Sequence, residues 1–251
     1  MHIIIPSYNR VDVLRTMTYK NLIEAGIKEN EINIFVANQE QYDLYRATFN
    51  MCNIIIGVKG IENIRNFIQD YYNNGDILVS FDDDLKSFVF KEDSNLKKEL
   101  NKMEECLNNS NCSIIGVNPT GNKFYMRPNK EGQYIKTGLY FCVGCCFMWK
   151  NDKSIKVSGF LDDYERTLYN YEKYKNVMRN DNLSFKTKYY AKGGIGKRSL
   201  ENYTSEVNRI NKLFSNITSI KIKSNKANLE NFGVKNIPHL LVRKKSSLRY
   251  Q

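Results

Sequence analysis

The chain has 251 residues, 41% hydrophobic and 12% aromatic, enough for one sizeable core with at most a small appended lobe and too apolar for a disordered chain. No hydrophobic run approaches the ~18 residues of a membrane span; the apolar start MHIIIPSYNR lacks a basic leader and meets Pro6, so it predicts a first strand and an intracellular rather than a secreted chain. The net charge of +11 lies wholly in the last quarter, where residues 186–251 hold 15 Lys+Arg against 3 Asp+Glu while residues 1–185 hold 23 against 24, an asymmetry that suits a polyanionic partner, nucleic acid or anionic membrane.

The first ninety residues alternate strand and helix. Residues 3–5 are a short apolar run; 11–25 place Val11, Leu14, Thr18 and Leu22 at helical spacing, closed by Gly26. A second strand is predicted over 32–37, a helix over 39–49 through Tyr42, Tyr45 and Phe49, a third strand over 53–56, an amphipathic helix over 61–73 through Ile61, Ile64, Ile68 and Tyr71, and a fourth strand over 77–81. Such repeats imply parallel strands with right-handed crossovers, with ligands bound beyond the carboxyl ends of the strands. Both PSYNR and the acidic run Asp82, Asp83, Asp84 fall there.

Beyond Lys86 the pattern changes. A helix is predicted over 96–108, a strand over 113–118, a loop over 119–137 from its Pro119, Gly121, Pro128 and Gly132, a core strand over 139–149, and a helix over 162–174 with Asp162 as cap. A strand over 184–191, a glycine turn at KGGIGKRS and a helix over 199–214 follow, the last with Leu200, Tyr203, Val207, Ile210 and Phe214 on one face. The six cysteines show no framework spacing and are expected as reduced thiols; Cys142-x-x-Cys145 is a single pair, two ligands short of a structural zinc site. No linker stands out, and the expected division is 1–215 with a basic segment, 216–251, packed on it or trailing from it.

Three carboxylates at a strand end repel one another unless a cation offsets them. Asp82 and Asp84 have D-x-D spacing, which in an extended backbone turns both side chains to one side; two oxygens, waters and room for phosphates is how Mg²⁺ or Mn²⁺ sits in a nucleotide site. Pro6, Ser7, Tyr8, Asn9 and Arg10 offer an aromatic ring, small polar groups and a fixed guanidinium for a base, a ribose and a diphosphate. GIENIRN adds Arg65 and Asn66 just before the aspartate strand.

PSYNR, GIENIRN and D-x-D in this order resemble the glycosyltransferase A-type fold, an α/β, Rossmann-like architecture with a mostly parallel central sheet flanked by helices. LDDYERTLYNY, VMRNDNLSFKTKYY and GGIGKR resemble the DNA base glucosyltransferases, the base J type enzymes and their phage relatives associated with base hydroxylases. The resemblance implies metal-dependent, inverting transfer of a sugar, glucose from UDP-glucose being the expected donor, to a hydroxymethylated pyrimidine in DNA. It implies Asp82 and Asp84 on the metal (Mn²⁺ or Mg²⁺), Asp82 or Asp83 also toward the nucleotide, residues 6–10 with Arg65 and Asn66 lining it, Asp163 as acceptor-activating base with Asp162 its rival, and His239 as a late metal ligand. The basic C-terminal residues would hold phosphates. Two alternatives stay open: a transferase acting on polysaccharide or a lipid-linked acceptor, and a catalytically silent nucleic-acid-binding module of the same fold.

Overall fold

The computed structural model describes residues 1–187, 199–224 and 226–243. The glycine turn at 192–198 and the basic residues from Lys244 onward lie outside the described residues, as does the end of the strand expected over 184–191.

In chain order the first elements are β1 (His2–Pro6), α1 (Val11–Leu14), a π-helical turn (Arg15–Tyr19), α2 (Lys20–Glu24), β2 (Ile32–Val36), α3 (Gln39–Arg46), β3 (Asn53–Ile56), α4 (Ile61–Tyr71) and β4 (Ile77–Phe81). Then come β5 (Leu85–Phe90), α5 (Leu96–Asn108), β6 (Ile114–Val117), β7 (Ile135–Gly138), β8 (Cys146–Lys150), α6 (Asp162–Tyr174), β9 (Val177–Asn180) and β10 (Leu183–Thr187). The chain ends with α7 (Leu200–Leu213), β11 (Thr218–Ser224), α8 (Lys226–Phe232) and β12 (Asn236–Val242).

Eight strands form one sheet in the order β3-β2-β1-β4-β8-β6-β9-β7. The first four pair in parallel, as the strand–helix alternation predicts; β8 runs antiparallel to both β4 and β6, β6 and β9 are parallel, and β7 closes the edge antiparallel to β9. The result is an α/β fold around a mixed, mostly parallel sheet. Side chains alternate across it: Ile3 and Ile5 join a core beneath α1–α3 and α5, while Ile4 joins Phe35 and Leu78 against Ile64 and Ile68 of α4 and Tyr171 of α6. Burial on both faces explains why these strands read as unbroken apolar runs.

Two expectations need correction. The stretch 119–137 contains β7, whose partner β9 lies more than forty residues on, so nothing local marks it. The strand expected over 139–149 begins only at Cys146, because the preceding residues leave the sheet: Cys142 crosses so close to Gly116 that a Cβ there would lie 2.9 Å from its Sγ. In the basic segment expected to pack on the domain or trail from it, β11 and β12 form an antiparallel pair, and Ile237 and Leu240 pack with Val207, Ile210 and Phe214 of α7 and Leu168 of α6.

Candidate active site

At the end of β1 the chain turns through PSYNR. Asn9 takes a left-handed backbone (φ 54°), stabilised from α3: its N–H donates to Gln41 Oε1 at 2.8 Å, and Gln41 Nε2 donates to Asn9 Oδ1 at 2.6 Å. The Tyr45 hydroxyl accepts from Arg10 N–H at 3.1 Å and shares a 2.6 Å hydrogen bond with Ser7 Oγ. Tyr8 stays half-buried, with the Lys59 ammonium 5.1 Å from its ring centroid.

The three aspartates occupy a turn between β4 and β5, so the extended-strand reading that placed Asp82 and Asp84 on one side does not hold. β4 stays in the main sheet while β5 departs to pair with β10, and the backbone must turn between them. Asp83 and Asp84 share Arg10: NH1 donates to Asp83 Oδ1 at 2.7 Å and NH2 to Asp84 Oδ2 at 2.9 Å. Ser7 Oγ donates to the other Asp83 oxygen at 2.6 Å, and Thr187 Oγ1 to the other Asp84 oxygen at 2.9 Å. Burial pushes the Asp83 carboxyl up to about 7 despite Arg10 and Ser7.

The π-helical turn staples this bend. Thr18, fully buried, donates through Oγ1 to Asp82 C=O at 2.6 Å and accepts from Leu85 N–H at 2.9 Å, spanning the aspartates; Asn21 Nδ2 donates to Leu85 C=O at 2.8 Å. The extra residue in the turn delivers a threonine inward where helical spacing predicts a core position.

Asp82 turns the other way, to Arg65. The guanidinium, 5% exposed, donates from NH2 to Asp82 Oδ1 and to Gly144 C=O, both at 3.2 Å, and from NH1 to Ser80 Oγ. Its Nε lies 3.5 Å from Asp162 Oδ2, which also accepts from Arg166 NH2 at 2.8 Å. Arg65 and Arg166 both lie over the Phe147 ring, at 5.3 and 3.8 Å. Asp162, 7% exposed, is thus the counter-ion of two guanidiniums. Asp163 is not paired in this way: Oδ1 accepts from Tyr164 N–H at 2.9 Å and Oδ2 faces Gly144 N–H at 3.4 Å. Burial, then the neighbouring Asp162 charge, raises it to about 6. The Cys145 thiol donates to the Asp82 carboxylate, and burial and that charge hold the thiol far above its ordinary value.

Residues 6–10, Arg65, Asp82, Asp83, Asp84, Asp162 and Asp163 therefore meet beyond the carboxyl ends of β1 and β4. Two expected members do not join them. Asn66 commits its amide to the backbone of Val157, donating at 2.8 Å and accepting at 3.0 Å, and so fastens the loop before α6. His239 sits on β12, its ring 6.2 Å from that of Tyr203 on α7, with Nε2 buried and without a hydrogen-bond partner among the described residues and its pKa lowered by burial and by Lys223. Sequence reasoning missed the roles of Thr18, Gln41, Tyr45, Cys145, Arg166 and Thr187; of these Cys145, Arg166 and Thr187 lay inside motifs that were noticed.

The network can be tested for a cation. Five carboxylates, Asp82, Asp83, Asp84, Asp162 and Asp163, face three guanidiniums, Arg10, Arg65 and Arg166, an excess of two negative charges once all five are ionised. The pKa of Asp82 is also raised, by burial first, with Arg65 opposing and Asp84 adding to it. Among the described residues no group of three or more His, Cys, Asp or Glu side chains is set to hold a metal by itself. The donor set fits a divalent ion that brings phosphate and water ligands with it. No helix among the described residues is long and apolar enough to cross a membrane.

A family model described as TET-Associated Glycosyltransferase matches residues 1–194. No curated protein sequence matches the chain. Among solved structures, S. aureus TarS 1–349 is similar at 12% identity and a TM-score of 0.47, covering 74% of this chain and 59% of its own. Mannosyltransferase PcManGT from Pyrobaculum calidifontis, in complex with GDP-Man and Mn²⁺, is similar at 11% identity and 0.43, covering 67% of this chain and 52% of its own. This chain thus spans little more than half the length of either. Glucosyl-3-phosphoglycerate synthase from Mycobacterium tuberculosis, in complex with Mn²⁺ and UDP-glucose, is similar at 8% identity and 0.49, covering 97% of this chain and 88% of its own.

Proposed function

The chain belongs to the TET-associated glycosyltransferase family, and from that premise we propose that it transfers a hexose from a nucleoside diphosphate sugar, UDP-glucose the first choice, to the hydroxyl of a hydroxymethylated pyrimidine in DNA. The observation that carries this reading is the acidic network with its excess of two negative charges, placed where a nucleotide enters a parallel sheet.

Asp82 and Asp84 would hold Mn²⁺ or Mg²⁺, whose role when bound is to offset the charge of the departing diphosphate. Tyr8, with Lys59 above it, suits the base of the nucleotide, and Ser7 and Arg10 fix the approach to its phosphates. Arg65 is pinned by Ser80 and Gly144, so its charge stays beside Asp82 without reorganisation. Asp163 takes the proton of the acceptor hydroxyl during attack. Raised to about 6, it is ionised near neutrality yet more basic than an ordinary carboxylate. Asp162 is the weaker candidate because two guanidiniums occupy it. One base and no second nucleophile in the described site favour direct displacement with inversion at the sugar carbon.

Mass analysis of DNA containing 5-hydroxymethylcytosine or 5-hydroxymethyluracil, and of plain DNA, after incubation with a panel of sugar nucleotides and Mn²⁺ tests the reading. The expected result is a hexose mass added only to hydroxymethylated DNA. Absence of transfer with every donor, in a preparation that UDP and Mn²⁺ stabilise, would reject the DNA acceptor.

A further inference from the structure

The loop between β6 and β7 carries a feature that the reaction leaves unused. Phe124 and Tyr125 are adjacent, 63% and 60% exposed, and their rings meet edge to face at 5.2 Å. The loop is held in one shape by its own polar groups. Asn118 Oδ1 accepts from Thr120 N–H at 3.1 Å, Asn122 Oδ1 from Phe124 N–H at 2.9 Å, and Met126, fully buried, anchors the far side. Arg127 Nε donates to Phe124 C=O at 2.8 Å, and its guanidinium lies 4.2 Å from the Phe124 ring centroid. Two large rings are therefore presented to water by a pre-organised loop, at a hydrophobic cost that a purely structural loop has no reason to carry.

Beside this loop runs a shallow groove of about 430 Å³ along the β5–β10 pair, lined by Phe88, Phe90, Lys91, Lys123 and Lys186. None of the three lysines is paired with a carboxylate among the described residues. Glu92 and Asp93 also line it, so the groove sets three ammoniums against two carboxylates, of which Glu92 accepts the Tyr134 hydroxyl. The groove leads to the candidate site: a Cβ on Gly121 would lie 3.2 Å from Phe185 C=O and 3.5 Å from Lys186 Cγ, and the next residue, Thr187, holds Asp84. Unpaired lysines are depleted from the cores of protein interfaces, whereas exposed rings among lysines and an arginine match nucleic acid, whose bases stack and whose phosphates take the cations.

Resting on the DNA-acceptor reading above, we propose that Phe124 and Tyr125 are a stacking wedge that enters the duplex next to the modified pyrimidine, while Lys91, Lys123 and Lys186 hold the flanking phosphates, so that the base swings out toward Asp163. The rings replace the stacking that the extruded base gives up.

The test uses the full chain and a fluorescent duplex with one 5-hydroxymethylcytosine, or one 5-hydroxymethyluracil, flanked by 2-aminopurine. The wild type is expected to bind with steep salt dependence and to raise 2-aminopurine fluorescence. Phe124→Ala with Tyr125→Ala should bind at least tenfold more weakly and lose the rise, Phe124→Trp should keep both, and UDP with Mn²⁺ should stabilise all three proteins equally. Lys123→Ala should lower the salt slope by about one. Unchanged affinity and fluorescence in the double variant overturns the wedge and leaves the acceptor reading standing. Loss of UDP stabilisation along with DNA binding makes the rings structural and also overturns it. A wild type that UDP stabilises but that binds no DNA overturns the acceptor reading, and the wedge with it.

Discussion

The two ends of the acidic network use the same residue type to different ends. Around Arg10, all four carboxylate oxygens of Asp83 and Asp84 have a donor, from Arg10, Ser7 or Thr187, and the Asp83 and Asp84 side chains are 6% and 17% exposed. Around Arg65, the Asp82 side chain is 34% exposed and its guanidinium contact is a long 3.2 Å, while among the described residues the Asp163 carboxylate takes hydrogen bonds only from backbone N–H groups, one at 3.4 Å. The saturated end ties β1, the acidic turn and β10 into one corner. The open end keeps lone pairs for a phosphate counter-charge or a proton, and the proposed ion would draw on both ends, on Asp82 and on a second lone pair of an Asp84 oxygen that already has one donor. A row of aspartates thus differs residue by residue in hydrogen-bond saturation, which residue type alone does not reveal.

That division can be broken by substitution. The largest effect is expected from Asp163→Asn, which should cut the rate of sugar transfer by about 10²–10⁴-fold in a mass-based assay while leaving the melting temperature near that of the wild type; full activity would remove Asp163 as the base. Its neighbour should behave in the opposite sense. Asp162→Ala takes the ion-pair partner from buried Arg166 and leaves Arg65 with Asp82 alone, and should cost about 3–5 kcal/mol in urea unfolding. An Asp162 variant as stable as the wild type would show that the pairing does not hold the site.

Thr18→Val keeps the shape of the π-helical turn but leaves Leu85 N–H and Asp82 C=O unpaired, so a loss of about 1–3 kcal/mol is expected by the same measurement. An unchanged midpoint would mean that the bend at the aspartates does not depend on its staple. The smallest effects are those of pH. With Asp163 raised to about 6, kcat/KM should rise through that pH and fall about tenfold per unit below it. Asp83, raised to about 7, holds its proton more tightly folded than unfolded, so its contribution to stability is complete in acid and is lost as pH rises through about 7. The proposed divalent ion would offset the charge that then appears. Mn²⁺ should therefore raise the melting temperature more at pH 8 than at pH 5.5, and an equal or absent gain would argue against an ion at this corner.

Much of this arrangement was open to reading from the chain alone, and the exceptions share a cause. The strand–helix repeats through β4 follow from apolar periodicity and from signals such as Gly26, at φ 82°. The helix over 162–174 appeared with the expected bounds. β5 escaped notice because its partner, β10, lies about a hundred residues away, and residues 139–145 read as strand because their composition is that of a core strand. Their departure from the sheet lets Gly144 meet Arg65 through its C=O and Asp163 through its N–H, which no local pattern encodes.

The order of residues determined where the acidic run would fall and that it would need cations, because charge repulsion and apolar periodicity act between near neighbours along the chain. Folding decided which cation each carboxylate received. Arg10 reaches Asp83 across 73 positions, Arg65 reaches Gly144 across 79, and Thr187 reaches Asp84 across 103. Pairings over such separations are set by how helices and strands pack against one sheet, so the split between saturated and open carboxylates exists only in the folded molecule.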